Sequence, residues 1–385
     1  MNYVSEEPAG RRGWFNILLI KKNYLHHNYC HVYTPTVQPS TASTIPFCHR
    51  IHSVNDAFRR VLLFCTHNNS FSDEFQETCR IHRAKMTESI EQTVKWRRHE
   101  VEEKIGLDQF KNNQLWTENF YFVIVSDSQF GYIKPPSERD SKDWKIEMDK
   151  AIFAIDKINN LSPRPQFLVV CGDLVNEMPC NEAGLNELQI NDFKKVFSNL
   201  HPSIPLICVC GNHDIGDIPD ENSINKYRDH FGQDYFSFWC GGVLFLVLNS
   251  QYYKNSCNVE KFAAEQDQWL TEILSKHEGQ RIIVFQHIPW FLSKTEEEIQ
   301  KKSIEKNISH KMLEKLCKAG VSHVFSGHHH INSTGFYKNL EIVVTCALGA
   351  PLGEDPSGLR IVKMYENNVI HTYYPLEQIP SSIKN

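Results

Sequence analysis

The sequence predicts an α/β fold, and three observations carry that reading. From about residue 120 onward, eight strand-sized apolar runs follow one another: YFVIVSD, FLVVCGD, LICVCGN, YFSFW, VLFLVLNS, RIIVFQH, HVFSGH and IVVTCALG. Between several of them, apolar residues recur at three- and four-residue steps, which is the period of a helix with one buried face. Five of the runs end in side chains of metal-ligand type, at Asp127, Asp173, Asn212, His287 and the triplet His328, His329, His330.

Each helix is read from its apolar stripe. Ile152, Ile155 and Ile158 after Trp144 mark the first, and Ile190, Phe193, Val196, Phe197 and Leu200 the second. Phe262, Trp269, Ile273 and Leu274 mark a third. A fourth, around Met312, Leu313 and Leu316, ends at Gly320, a residue free to take the left-handed conformation of a helix cap. Strands alternating with such helices make an α/β or mixed sandwich domain.

Composition sets the outer limits. With 385 residues, 41% hydrophobic and 23% charged, the chain is globular and long enough for one large domain or two medium ones. A net charge of -5 without a basic cluster gives no reason to expect nucleic acid or an anionic membrane as partner. The longest apolar runs, such as Val243 to Leu248, fall far short of the ~20 residues of a membrane helix. At the N-terminus an acidic pair precedes the short apolar stretch Trp14 to Ile20, which Lys21 and Lys22 close, and this is not a secretory signal pattern. The 12 cysteines are irregularly spaced, and Cys171, Cys208, Cys210 and Cys346 sit inside apolar runs. Reduced, buried thiols and a cytoplasmic location are the expectation.

Three segments are expected. Residues 1–85 are rich in Ser, Thr, Pro, His and Asn, with an irregular linker PTVQPSTASTIP from Pro35 to Pro46. They read either as an optional extension, with translation from Met86 sufficing, or as a tail that docks partners or targets the chain. Residues 86–119 form a charged helical lead-in. Residues 120–380 form the folded domain.

The chemistry lies at the strand ends. A carboxylate or imidazole at the edge of a buried sheet is costly unless something satisfies it, and a divalent cation is the strongest such partner. Any one of these residues has a plain structural reading, as a turn, a cap or a hydrogen-bonded histidine. In order along the chain, however, DSQ at Asp127, GDLVNE at Gly172, GNHD at Gly211, His287 and GHHH at Gly327 form a set.

That set resembles the calcineurin-like metallophosphoesterase family, whose pattern is D-x-H, G-D, G-N-H-[DE], H and G-H-x-H. The resemblance covers roughly Phe120 to Tyr374. With GQDYFSFWCGGVLFLVLNSQYY, AEQDQWL and VFQHIPWFL as context, it is nearest to a branch whose implied activity is serine/threonine protein phosphatase. It implies a four-layer sandwich of two mixed β-sheets flanked by helices. It also implies two divalent metal ions (Mn, Fe, Zn or Mg), with Asp127 and His330 on the first, Asn212, His287 and His328 on the second, and Asp173 bridging. Such a pair activates water and neutralises phosphoryl charge. Gly172, Gly211 and Gly327 let the backbone turn tightly beside these ligands. His213 would assist the leaving group and Asp214 would orient it.

One departure stands out: Gln129 occupies the place of a metal-binding histidine, so the first site is expected to be weaker or to prefer a harder ion. His329 is expected to face solvent, as are Asp140 and Asp143. His201, His230, His277, His310 and His323 read as surface or structural. No Ser nucleophile elbow, P-loop or dinucleotide-binding glycine fingerprint stands in a strand-to-helix context. The expected function is hydrolysis of phosphomonoesters in a phosphorylated substrate, namely phosphoserine or phosphothreonine in proteins. The alternatives are a phosphodiesterase on nucleotides and a catalytically silent scaffold. The rim loops Ile133 to Asp143 and Trp290 to Ile304 give no readable substrate code.

Overall fold

The computed structural model describes residues 115–133, 143–181, 183–292 and 303–384. The expected extension over 1–85 and the lead-in up to residue 114 lie outside the described residues, and 115–119 are not helical. In chain order the strands are β1 Phe120–Val125, β2 Leu168–Val170, β3 Leu206–Cys208, β4 Phe236–Cys240, β5 Val243–Val247, β6 Ile282–Phe285, β7 Val321–Ser326, β8 Ser333–Tyr337, β9 Leu340–Val344, β10 Gly358–Tyr365 and β11 Asn368–Pro375. The helices are α1 Lys145–Asn159, α2 Ala183–Phe197, α3 Asn212–Ile215, α4 Glu221–Phe231, α5 Gln251–Lys254, α6 Glu260–Lys276 and α7 Lys306–Lys318.

Two mixed sheets result, with strand orders β11-β10-β1-β2-β3 and β4-β5-β6-β7-β9-β8. Strands β1, β2 and β3 run parallel in the first; β5, β6, β7 and β9 do so in the second. Because side chains alternate across a strand, every central strand feeds two cores. Phe122 and Ile124 of β1 face the second sheet, while Tyr121, Val123 and Val125 face helices α1 and α2. Likewise Ile283 and Phe285 of β6 point between the sheets, and Ile282 and Val284 point to α6 and α7. Between the sheets, Phe122 stacks on Phe167 at 4.7 Å and meets Phe245 and Phe285 edge-on at 5.5 and 5.6 Å. The layers therefore run helix, sheet, sheet, helix, the four-layer sandwich implied by the resemblance.

All eight apolar runs are strands. Gly320 follows α7 at φ +80°, and its amide bonds to Cys317 O, as a left-handed cap requires. Six elements have no counterpart in the sequence reading, the one-turn helices α3 and α5 among them. Strands β8 and β11 are edges with alternating or exposed faces, and β10 carries Arg360 and Lys363 among its apolar residues, so none reads as a buried run. Helix α4 is short and polar, and a capping box sets its start: Asp220 accepts the Ser223 amide at 2.8 Å and Ser223 Oγ accepts the Asp220 amide at 3.1 Å. Ile152 corrects the stripe expected on α1, being 48% exposed while Ile155 and Ile158 are buried. The core also takes in Ile383, three residues past the expected domain end.

Candidate dinuclear metal centre

The parallel strands of both sheets end at the same edge, where loops leaving their C-terminal ends converge. The loop after β1 brings Asp127 and Gln129, that after β2 brings Asp173, and α3 after β3 brings Asn212, His213 and Asp214. From the second sheet come His287 after β6 and His328 to His330 after β7. The backbone is bent hard here. Asp127, Gln129, Asp173, His328 and His330 all have φ between +40° and +73°, and among the described residues Lys338 is the only other non-glycine residue with positive φ. Strain concentrated in this way is held by the surrounding packing and marks a functional site. Gly172, at φ +83°, permits one of these turns, and a Cβ there would collide with the His287 ring.

Two sets of donor atoms gather, Asp127, Asp173 and His330 in one and Asp173, His287 and His328 in the other, and in each set the atoms lie within 4.8 Å of one another. Asp173 belongs to both. Its Oδ2 lies 3.2 Å from His287 Nε2, and its Oδ1 accepts the His213 amide at 2.9 Å. His330 Nε2 is 3.3 Å from Asp127 Oδ1. Asn212 Oδ1 and His328 Nδ1 approach His287 Nε2 at 3.2 and 3.1 Å. The Nδ1 atoms of His287 and His330 donate to the carbonyls of Cys171 (2.8 Å) and Ala350 (2.6 Å), which leaves each Nε2 directed into the site.

The electrostatics agree with cation binding. Asp127, Asp173, His287 and His330 are all buried. Burial alone would push the His287 and His330 imidazoles down, but the Asp173 carboxylate beside His287 and the Asp127 carboxylate beside His330 raise both above the usual histidine range. Burial opposes ionisation of Asp173 too, yet His287 and His213 hold it well below the usual carboxylate range. Carboxylates that bind protons this firmly onto their neighbours bind divalent cations for the same Coulombic reason. Gln129 supplies a further test of fit. It is 1% exposed, its Nε2 donates to Asp173 Oδ2 at 3.3 Å, and its Oε1 has no hydrogen-bond partner among the described residues. A buried orphan acceptor is costly unless a cation or metal-held water meets it. The residues present therefore fit two divalent ions.

Asp214 departs from the sequence expectation, and its neighbour His213 does not. His213 lines the cleft, and its Nδ1 bonds to the carbonyl of Asn176 at 2.6 Å. Asp214 does not orient it. Its two oxygens accept the amides of Leu174 (2.9 Å) and Gly211 (2.8 Å), so it clamps the β2 and β3 loops together. The reason is geometric: the first turn of α3 directs the side chain of Asp214 back over the amides at its own N-terminus. His329 corrects a second expectation, being 7% exposed rather than solvent-facing. Asp140 lies outside the described residues, and Asp143 accepts the Lys145 amide at 3.2 Å beside α1.

A cleft of about 450 Å³ opens over this cluster, lined by Asp173, Asn212, His213, His328 and His330 among others. Its walls include residues the sequence reading did not single out: Tyr132, Met178, Asp217, Ile218, Gln251 and Lys254. Tyr132 packs on the His330 ring at 5.0 Å. Only Asp217 had a cue, its place three residues after GNHD.

Among proteins of known sequence, the model of the calcineurin-like phosphoesterase family matches residues 120–332. Serine/threonine-protein phosphatase CPPED1 of Homo sapiens is 43% identical over 272 residues, covering 69% of this chain and 86% of that protein. Its counterpart in Mus musculus is 39% identical over 282 residues (71% and 90% covered), and that in Danio rerio 38% over 271 residues (69% and 87%). With the family model spanning more than half the chain and relatives aligned over most of their length, this chain belongs to the calcineurin-like phosphoesterase family of metal-dependent hydrolases.

Proposed function

We propose that the chain is a protein phosphatase that removes phosphate from phosphoserine or phosphothreonine, with Asp127 and His330 on one metal ion, Asn212, His287 and His328 on the other, and Asp173 between them. The observation that carries this reading is the pair of donor sets sharing Asp173 at the floor of an open cleft, with His213 in its wall. Two divalent ions held there would activate water for attack and neutralise charge on the phosphoryl group. The chain's own residues do the rest. Asp173 holds the two ligand sets at a fixed separation through its bonds to His287 and the His213 amide. His213, with Nδ1 on the Asn176 carbonyl, has Nε2 available to donate a proton to the departing serine or threonine oxygen. The printed name of the relatives, serine/threonine-protein phosphatase, supports the substrate class. Eight free thiols among the described residues support a reducing, cytoplasmic setting. No helix among the described residues is long and apolar enough to cross a membrane.

The test compares a phosphoserine peptide, p-nitrophenyl phosphate and bis-p-nitrophenyl phosphate as substrates of the full chain, stripped of metal and refilled with Mn²⁺, Fe or Zn²⁺, beside Asp173→Asn. Metal-dependent cleavage of both monoesters, lost in the variant, is expected. Preference for the diester would replace this reading with a phosphodiesterase, and a folded, metal-loaded chain without turnover would replace it with a scaffold.

A further inference from the structure

An asparagine ligand differs from a carboxylate in one respect that matters to a metal. Only one end of its amide is an acceptor, and the other presents two N–H donors. Asn212 must therefore be held one way round. At the candidate centre its Oδ1 stands 3.2 Å from His287 Nε2, on the metal side, while its Nδ2 donates to Asp217 Oδ1 at 2.9 Å. A carboxylate can only accept, so Asp217 tolerates one orientation of the amide and rejects the other.

Asp217 is itself fixed from behind. The chain turns at Gly216, φ +94°, and the Asp217 carbonyl accepts Gln251 Nε2 at 2.6 Å. The Gln251 amide donates to Asn249 Oδ1 at 3.1 Å, and Asn249 Nδ2 donates to Asp234 Oδ2 at 3.0 Å. Asp234 is fully buried and paired with Arg228 Nε at 2.7 Å. Hydrogen bonds thus lead from the ion pair of Arg228 on α4 with the buried Asp234, through Asn249 and Gln251, to the backbone of Asp217, whose side chain holds the Asn212 amide.

We infer that Asp217 is a positioning residue for the second metal, locking the Asn212 amide so that its carbonyl oxygen, and not its nitrogen, faces the ion. The inference rests on the dinuclear reading above and adds a residue to it. Without Asp217 no described hydrogen bond holds the Asn212 Nδ2 away from the site, and the flipped amide presents N–H groups to a cation.

Mn²⁺ alone, titrated calorimetrically into the metal-stripped full-length chain, tests this without any turnover. The unaltered chain is expected to take up two equivalents. Asp217→Ala should keep the equivalent held by Asp127, Asp173 and His330 and weaken the other by about 10- to 100-fold, the usual effect of losing a residue that orients a ligand. Asp217→Asn, whose amide can turn to donate as well as to accept, tolerates both orientations of Asn212 and should weaken the same equivalent. In an Asn212→Asp background either oxygen of the new carboxylate serves the metal, so removing Asp217 should cause no further loss. Two unaltered binding steps in Asp217→Ala or in Asp217→Asn would overturn the assignment, as would an equal loss in the Asn212→Asp background. Failure of the unaltered chain to bind two ions would overturn the dinuclear reading itself, and the assignment with it.

Discussion

His213 and Asp214 are neighbours on α3, yet their surroundings give them different work. One lines the cleft; the other has both carboxylate oxygens committed to backbone amides on two loops. Substituting each should separate chemistry from architecture. His213→Ala is expected to lower kcat by about 10²- to 10⁴-fold, the usual worth of a positioned acid, while leaving the thermal midpoint and metal content unchanged. Asp214→Asn replaces an acceptor by a donor facing an N–H group, at a cost of about 1 to 3 kcal/mol. Its thermal midpoint should therefore fall, whereas His213→Ala should melt like the parent. A fallen midpoint in His213→Ala, or a normal one in Asp214→Asn, would refute this division. Both residues were visible in GNHD, but their division of roles was not. Sequence adjacency suggested that Asp214 orients His213, and only the coordinates show that Asn176 holds the imidazole.

At the scale of elements, the ends of strands and helices are where glycine matters, and two of them respond to a methyl group for different reasons. Gly327, at the end of β7, lies so close to Ser126 and Asp127 that an added Cβ overlaps Ser126 Oγ and Asp127 Oδ2. Gly320, at the end of α7, has φ +80° but open space around it. Gly320→Ala should lower stability by about 1 kcal/mol and leave metal uptake intact, since only backbone strain is added. Gly327→Ala should lose metal uptake, because Asp127 has nowhere to retreat in a fully buried site. Retained uptake by Gly327→Ala would mean that the β1 loop yields, contrary to the packing described. Both glycines were legible in the sequence, one as a helix cap and one as the turn before a ligand. The collision at Gly327 was not, because Ser126 and Gly327 come from different sheets.

At the scale of the whole molecule, the two sheets are tied together away from the cleft by a polar seam. Glu341 of β9 accepts from His323 of β7 and His371 of β11 at 3.1 Å each, and His371 Nδ1 meets Arg360 of β10 at 3.0 Å. Arg360, 5% exposed, bonds onward to Thr345, Asn332 and the Val344 carbonyl. The hydrogen bonds from His323 and His371 overcome the effect of burial and hold the Glu341 carboxyl down at about 2. A carboxyl lowered in the folded state stabilises fully above its unfolded value near 4.5 and progressively less as pH falls from there towards 2. Glu341→Gln should therefore be less stable than the parent near neutral pH, by no more than about 1 to 2 kcal/mol once solvent screening of this partly exposed group is allowed for, with the difference shrinking below about pH 4. Urea unfolding across that range is the measurement, and a difference that persists at pH 2 would show that the seam stabilises by packing and not by charge.

The sequence by itself determined the fold class, the eight apolar strands and the order of the ligand types, because burial of a strand and the chemistry of a metal are both written in residue type at short range. It also marked Gln129 as a departure from the family's pattern. Tertiary structure alone decided what depends on bringing distant loops together. It joined Asp173 to both donor sets, committed Asp214 to amides 3 and 40 positions away, buried His329, and set Asp217 behind Asn212. The edge strands β8 and β11 belong to the same class, since one exposed face leaves them without the uniform apolar run that marks the interior strands. Residue type reports what a side chain needs, and the meeting of two sheets at one edge decides which neighbour supplies it.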